Sequence, residues 1–141
     1  SLTKSYIMSS ADLIIEYSQN PANKWILEGA TIRYREHNRV CADVVEVFLI
    51  IEDNTLQQFS FYGYMSIVAT ACVSITGELL EGIAIDTILE LDESFIHENI
   101  GTDISPRRRF ASLIGLLAIK NAIHEYLKDD KKEDFSDIVV G

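Results

Sequence analysis

Cysteine is scarce in this 141-residue chain: there are two, Cys41 and Cys72. Two thiols build no disulfide framework. With no secretory n-region or apolar h-region at the start, they point to a reducing compartment and hence the cytoplasm. Basic charge is also short. Twelve Lys and Arg against 22 Asp and Glu leave a net charge of −10, which argues against nucleic acid and anionic membrane as partners and leaves room for a basic protein. No apolar run is long enough to span a bilayer. A Gly-rich phosphate loop, a Ser/His/Asp set and a CxxC pair are all absent. Their absence removes the usual sequence signs of nucleotide binding, hydrolysis and dithiol redox work, so the chain does not read as an enzyme.

What is present suffices for one domain. A chain of this length buries about 70% of its extended surface and needs no metal or disulfide to hold a core. Ser9 or Ser10 is the candidate N-cap of a first helix, with Leu13, Ile14 and Tyr17 as its apolar stripe and Asn20-Pro21 as its end. Trp25 to Gly29 reads as a linker with apolar anchors. Ala30 to Glu36 alternates, Val44 to Glu52 is almost continuously apolar, and Leu56 to Phe61 follows the Asp53-Asn54 turn. These are three strands with short connections, which favours an antiparallel meander.

The second half is helical. Ser66 to Leu80 is small and apolar with Gly82 as its stop, Ile85 to Leu91 and Ser94 to Asn99 are short helices, and Arg107 to Lys128 is a long last helix. Strands followed by helices predict an α+β fold, a three-stranded antiparallel sheet with helices packed on one face. Residues 1–128 form the domain, and residues 129–141 a charged C-terminal tail expected to fray.

The chemistry-bearing residue is Cys41. It lies in His37-Asn38-Arg39-Val40-Cys41-Ala42-Asp43, a polar break between two strands, where a loop presents a thiol as soft ligand or nucleophile. Arg39 and Asp43 act on that thiol with opposite sign. Cys72, among small helical residues, reads as core packing. Ser66 reads as the N-cap of the helix that follows it. His37, His97 and His124 read as surface side chains. Arg107-Arg108-Arg109 is the one basic cluster. It stands at a helix start, where the dipole disfavours cations, and so hints at an anionic partner.

Taken in order, these segments resemble the iron–sulfur cluster scaffold family, the NifU N-terminal domain with IscU and SufU, over roughly residues 14–127. Asn20-Pro21-Ala22-Asn23 is similar to the family's Asn-Pro-x-Asn. Asn38 to Asp43 is similar to its Asn-x-x-Cys-Gly-Asp loop. Phe61 to Ser66, with the helix ending Gly77-Glu78-Leu79-Leu80-Glu81-Gly82, resembles the segment that carries the second cysteine. Ile104 to Ala111 resembles the loop that carries the last one. In the family, three cysteines plus an aspartate or histidine hold zinc or a nascent [2Fe–2S] cluster.

The resemblance therefore implies Cys41 and Asp43 as metal ligands, with Ser66 and Ala111 in the places of the missing two thiols. Phe110 stands where some members carry histidine, and Ala42 replaces the glycine after the first cysteine. Zinc or an iron–sulfur cluster is the implied cargo, but one thiol and one carboxylate do not complete its coordination. A homo-dimer would pool two of each. The implied partners are a cysteine desulfurase and an intact scaffold paralogue. Two further readings stay open. One is a sulfur acceptor like SufE, which uses a single loop cysteine, here Cys41. The other is a docking partner that uses no chemistry at all.

Overall fold

A computed structural model describes residues 9–141. Helix α1 spans Ser10–Gln19, and Ser9 caps it: its hydroxyl accepts the Asp12 N–H at 3.1 Å. Strands β1 (Ile32–Asn38), β2 (Asp43–Glu52) and β3 (Thr55–Tyr64) form an antiparallel sheet in the order β1-β2-β3. The register pairs Asn38 with Asp43 at one end of the β1–β2 hairpin and Val45 with Gly63 in β2–β3. The third strand runs past the predicted Phe61, because Tyr62, Gly63 and Tyr64 still pair with β2. A Cβ on Gly63, at φ 148°, would stand 2.1 Å from the Val44 carbonyl oxygen, so only glycine lets the two strands close here.

Helices α2 (Ile67–Leu80), α3 (Ile85–Leu89), α4 (Glu93–Asn99), α5 (Arg109–Leu127) and α6 (Phe135–Ile138) follow, with a 3-10 turn at Pro106–Arg108 ahead of α5. Val45, Val47, Leu49 and Ile51 of β2 and Phe59 and Phe61 of β3 share one core with α2 and α5. Each such side chain contributes about 1.5–3 kcal/mol of burial. Helix α2 packs against α1, α5 and β3, and the whole run from Val68 to Gly77 is buried. A helix enclosed on three sides needs no polar face, which explains its small-residue sequence. Helix α5 comes close enough that a Cβ on Gly115 would touch the Val73 backbone at 2.9 Å.

Three expectations are corrected. The segment after residue 128 does not fray. Ile138 is buried, Phe135 stacks on Phe110 with centroids 4.3 Å apart, and the Val140 N–H donates to Glu93 at 2.9 Å. Nor is His124 a surface residue. It is 6% exposed, with Nδ1 at 2.8 Å from Asp129 and Nε2 at 2.7 Å from Glu133. The charges that suggested a solvated tail pair with α5 instead. Lys120 Nζ lies 2.9 Å from Glu133, and Asn121 bonds both Glu36 and the Glu133 backbone. In the linker, Trp25 and Ile26 remain half exposed rather than acting as anchors.

Candidate functional site

The β1–β2 hairpin turns through residues 39–42. Asn38 Oδ1 accepts the Val40 N–H at 3.2 Å, and Ala42 takes the left-handed conformation at φ 57°. A turn that needs positive φ costs an alanine about 1 kcal/mol relative to glycine. The turn leaves Cys41 exposed and buries Asp43, which is 1% exposed. One carboxylate oxygen of Asp43 accepts the Ser66 N–H at 2.8 Å, which ties the hairpin to the start of α2. A carboxylate there also complements the positive end of the helix. The other oxygen is buried without a hydrogen-bond partner among the described residues, as is the Asn38 amide nitrogen at the paired position.

Ser66 caps α2 as the sequence suggests. Its hydroxyl accepts the Ala69 N–H at 3.2 Å, so one of its two lone pairs already serves the helix. Ala111 sits in the first turns of α5 and is buried. Cys41, Ser66 and Ala111 line one cavity of about 700 Å³, bounded also by Ile14 of α1, Ile67 of α2 and Ile104 of the loop before α5. The fold thus gathers all four sequence-selected positions at one end of the molecule, with a thiol, a buried carboxylate, a committed hydroxyl and a methyl group. Among the described residues, no group of three or more His, Cys, Asp and Glu side chains is arranged to hold a metal ion.

The histidines lie outside this site. His37 is exposed on β1, His97 stands 3.5 Å from Glu93, and His124 belongs to the C-terminal cluster. Cys72 is sealed in α2, where burial pushes its thiol up to about 12. It is therefore a packing residue with no thiolate to offer near neutral pH. The basic cluster divides. Arg109 pairs with Glu93 and caps the Val140 carbonyl at 2.7 Å. That pairing, ahead of the opposing effect of burial, holds the Glu93 carboxyl below its usual range. Arg107 and Arg108 are exposed and line the Cys41 cavity.

Sequence patterning missed the exposed apolar residues around this end, Val40, Tyr64 and Ile67. Periodicity assigns apolar residues to the interior and carries no sign for those left outside.

The family described as the NifU-like N terminal domain matches residues 9–133. The chain belongs to that family. It is 24% identical over 124 residues to two iron–sulfur cluster assembly scaffold proteins of Archaeoglobus fulgidus, IscU 1 and IscU 2, covering 88% of this chain and 80% of each relative. A crystal structure of a nitrogen-fixing NifU-like protein (N-terminal) from Brucella abortus shares the fold, with a TM-score of 0.68 at 16% identity over 87% of this chain and all of that one. A structure described as a putative iron–sulfur cluster assembly scaffold protein for the SUF system, from Fervidobacterium islandicum, matches with a TM-score of 0.67 at 17% identity, over 79% of this chain and 94% of its own. The α+β architecture and the iron–sulfur cluster assembly scaffold family both stand. Among the described residues, no helix is long and apolar enough to cross a membrane.

Proposed function

We propose that this chain is an accessory iron–sulfur cluster assembly protein, not an enzyme, acting in a reducing compartment beside a cysteine desulfurase and an intact scaffold paralogue. Its donor set does not close a coordination sphere within a single chain. The observation that carries this reading is the state of the four gathered positions. Asp43 keeps one buried oxygen without a partner among the described residues, Cys41 keeps an exposed thiol, the Ser66 hydroxyl is engaged by the Ala69 N–H, and Ala111 has no donor. Zinc takes four N, S or O ligands and a [2Fe–2S] cluster four thiolates or their substitutes. A serine hydroxyl does not ionise near neutral pH and replaces a thiolate poorly.

The test is restoration. Zinc titration and anaerobic iron–sulfide reconstitution of the wild-type chain are expected to give occupancy well below one site per chain. The paired Ser66→Cys and Ala111→Cys variant should approach one. A coloured wild-type protein with a stoichiometric iron–sulfur spectrum, or a double variant that gains nothing, would sink the proposal.

The exposed position of Cys41 on a turn favours one further use, as a sulfur acceptor. Its thiolate attacks the outer sulfur of a persulfide on a donor protein. The new S–S bond forms on Cys41, the donor's S–S bond breaks, and the donor leaves as a thiolate with no net change of redox state. A desulfurase with cysteine should add one sulfur to the chain, seen as a mass shift that Cys41→Ser abolishes and Asp43→Ala leaves intact.

A further inference from the structure

The chain's six arginines divide by location. Arg33 and Arg35 reach Glu46, and Arg109 holds Glu93. Arg39, Arg107 and Arg108 form no ion pair among the described residues, and all three stand around the Cys41 end, where Arg107 and Arg108 line the cavity directly. In a molecule of net charge −10, unpaired cations gathered on one rim are unusual placement. Asp103 is the one carboxylate among the cavity's lining residues.

The same end exposes large apolar side chains. Val40 on the hairpin is 84% exposed, Tyr64 at the end of β3 is 87% and Ile67 at the start of α2 is 66%. Ile67 lines the cavity, Val40 sits in the turn that carries Cys41, and Tyr64 pairs with Val44 beside that turn, so apolar surface continues outside the cavity. A small molecule seated inside would leave them in water, whereas a polypeptide laid across the rim would cover both.

We infer that this end docks a partner protein through a segment that combines apolar side chains with acidic ones, the apolar groups entering beside Ile67 and Ile104 and the carboxylates meeting Arg39, Arg107 and Arg108. The chain's own first eight residues are a poor fit for that role, because they contain Lys4 and no acidic residue. A second copy would bring another net charge of −10 against this one. The inference rests on the assembly reading only in placing a working thiol among the residues that line the dock.

The experiment uses a random dodecapeptide library displayed on phage and selected on the full chain. Enriched peptides should carry at least two large apolar residues and at least two acidic ones. Their affinity should fall about tenfold or more, equivalent to about 1.4 kcal/mol, both in the Arg107→Glu, Arg108→Glu pair and in Ile67→Glu, all surface positions that leave the fold intact by circular dichroism. Affinity should also weaken as salt is raised. Peptide binding and sulfur loading are read separately on the wild-type chain: a chain that takes up no sulfur yet binds acidic-apolar peptides fails the assembly reading alone, and one that loads sulfur but selects no such peptides fails this inference alone. Enrichment of basic or uncharged peptides, or acidic peptides that bind the charge-reversed variant equally well, overturns it. So does binding that appears only in a chain starting at Ser9, since the groove would then be filled by the chain's own residues. Self-association in sedimentation that Ile67→Glu abolishes also overturns it, since the occupant would be a second copy.

Discussion

Two buried polar clusters stand at different places on the same fold, and they are finished differently. Around His124, both ring nitrogens face carboxylates, Lys120 meets Glu133, and Asn121 spans Glu36 and the Glu133 backbone. Among the described residues, no buried side-chain nitrogen or oxygen there is left unpaired. Around Asp43, two buried atoms within a single hairpin end lack partners among the described residues. A fully paired buried network serves cohesion, and its absent surplus leaves nothing for a ligand. Orphaned polar atoms cost free energy, and the hydroxyls of Ser60 and Thr76, buried elsewhere, are orphaned too. The C-terminal cluster holds the chain together; the hairpin cluster is left open beside the thiol.

The largest expected effect comes from breaking the finished cluster. Glu133→Ala removes the carboxylate partner of Lys120 and one of the two that face His124, and leaves a buried ammonium with the Leu91 carbonyl in place of a countercharge. It should cost about 3 kcal/mol, read as a lower urea midpoint. Acidification attacks the same half of the molecule. The Arg109 guanidinium holds Glu93 below its usual range and the His124 ring holds Asp129 low. Both carboxylates therefore add stability that is present above the ordinary unfolded values. It is lost as pH falls through those values, about 4.3 for Glu and 3.9 for Asp, toward the lower folded ones. Hydrogen exchange should show the Val140 amide, bonded to Glu93, losing protection before the β2 amides do. Simultaneous loss would mean that the segment has no separate anchor.

The hairpin should respond in the opposite sense. Ala42→Gly relieves the left-handed alanine and should stabilise the chain by about 1 kcal/mol, seen in thermal melts. The smallest effect is expected from Asp43→Asn. It keeps an oxygen for the Ser66 N–H and removes an unpartnered carboxylate oxygen, so stability should move by less than about 1 kcal/mol while zinc affinity drops. A loss as large as that of Glu133→Ala would erase the distinction between the clusters.

Much of the fold was legible because it is local. The apolar run of β2, the turn at Asp53-Asn54, the caps at Ser9 and Ser66 and the stop at Gly82 each act through neighbours in sequence. Cys72 was legible as core from its small neighbours. His124 was not, because the carboxylates that bury it come from a segment whose composition reads as solvated tail. Arg109 could not be told from Arg107 and Arg108, since only the packing of α4 brings Glu93 to one of them. Motif order indicated which residues occupy the four family positions, but not that Asp43 binds an amide with one oxygen and nothing with the other.

By itself, the order of residues determined the secondary structure up to the last helix, the family and the shortage of sulfur donors, since backbone preference and atom inventory are properties of the chain alone. Only tertiary packing decided which charges are spent on one another and which remain on the surface. Pairing depends on distance in space, and residues 93 and 109, or 124 and 133, come within reach only after α4, α5 and the C-terminal segment have been laid together.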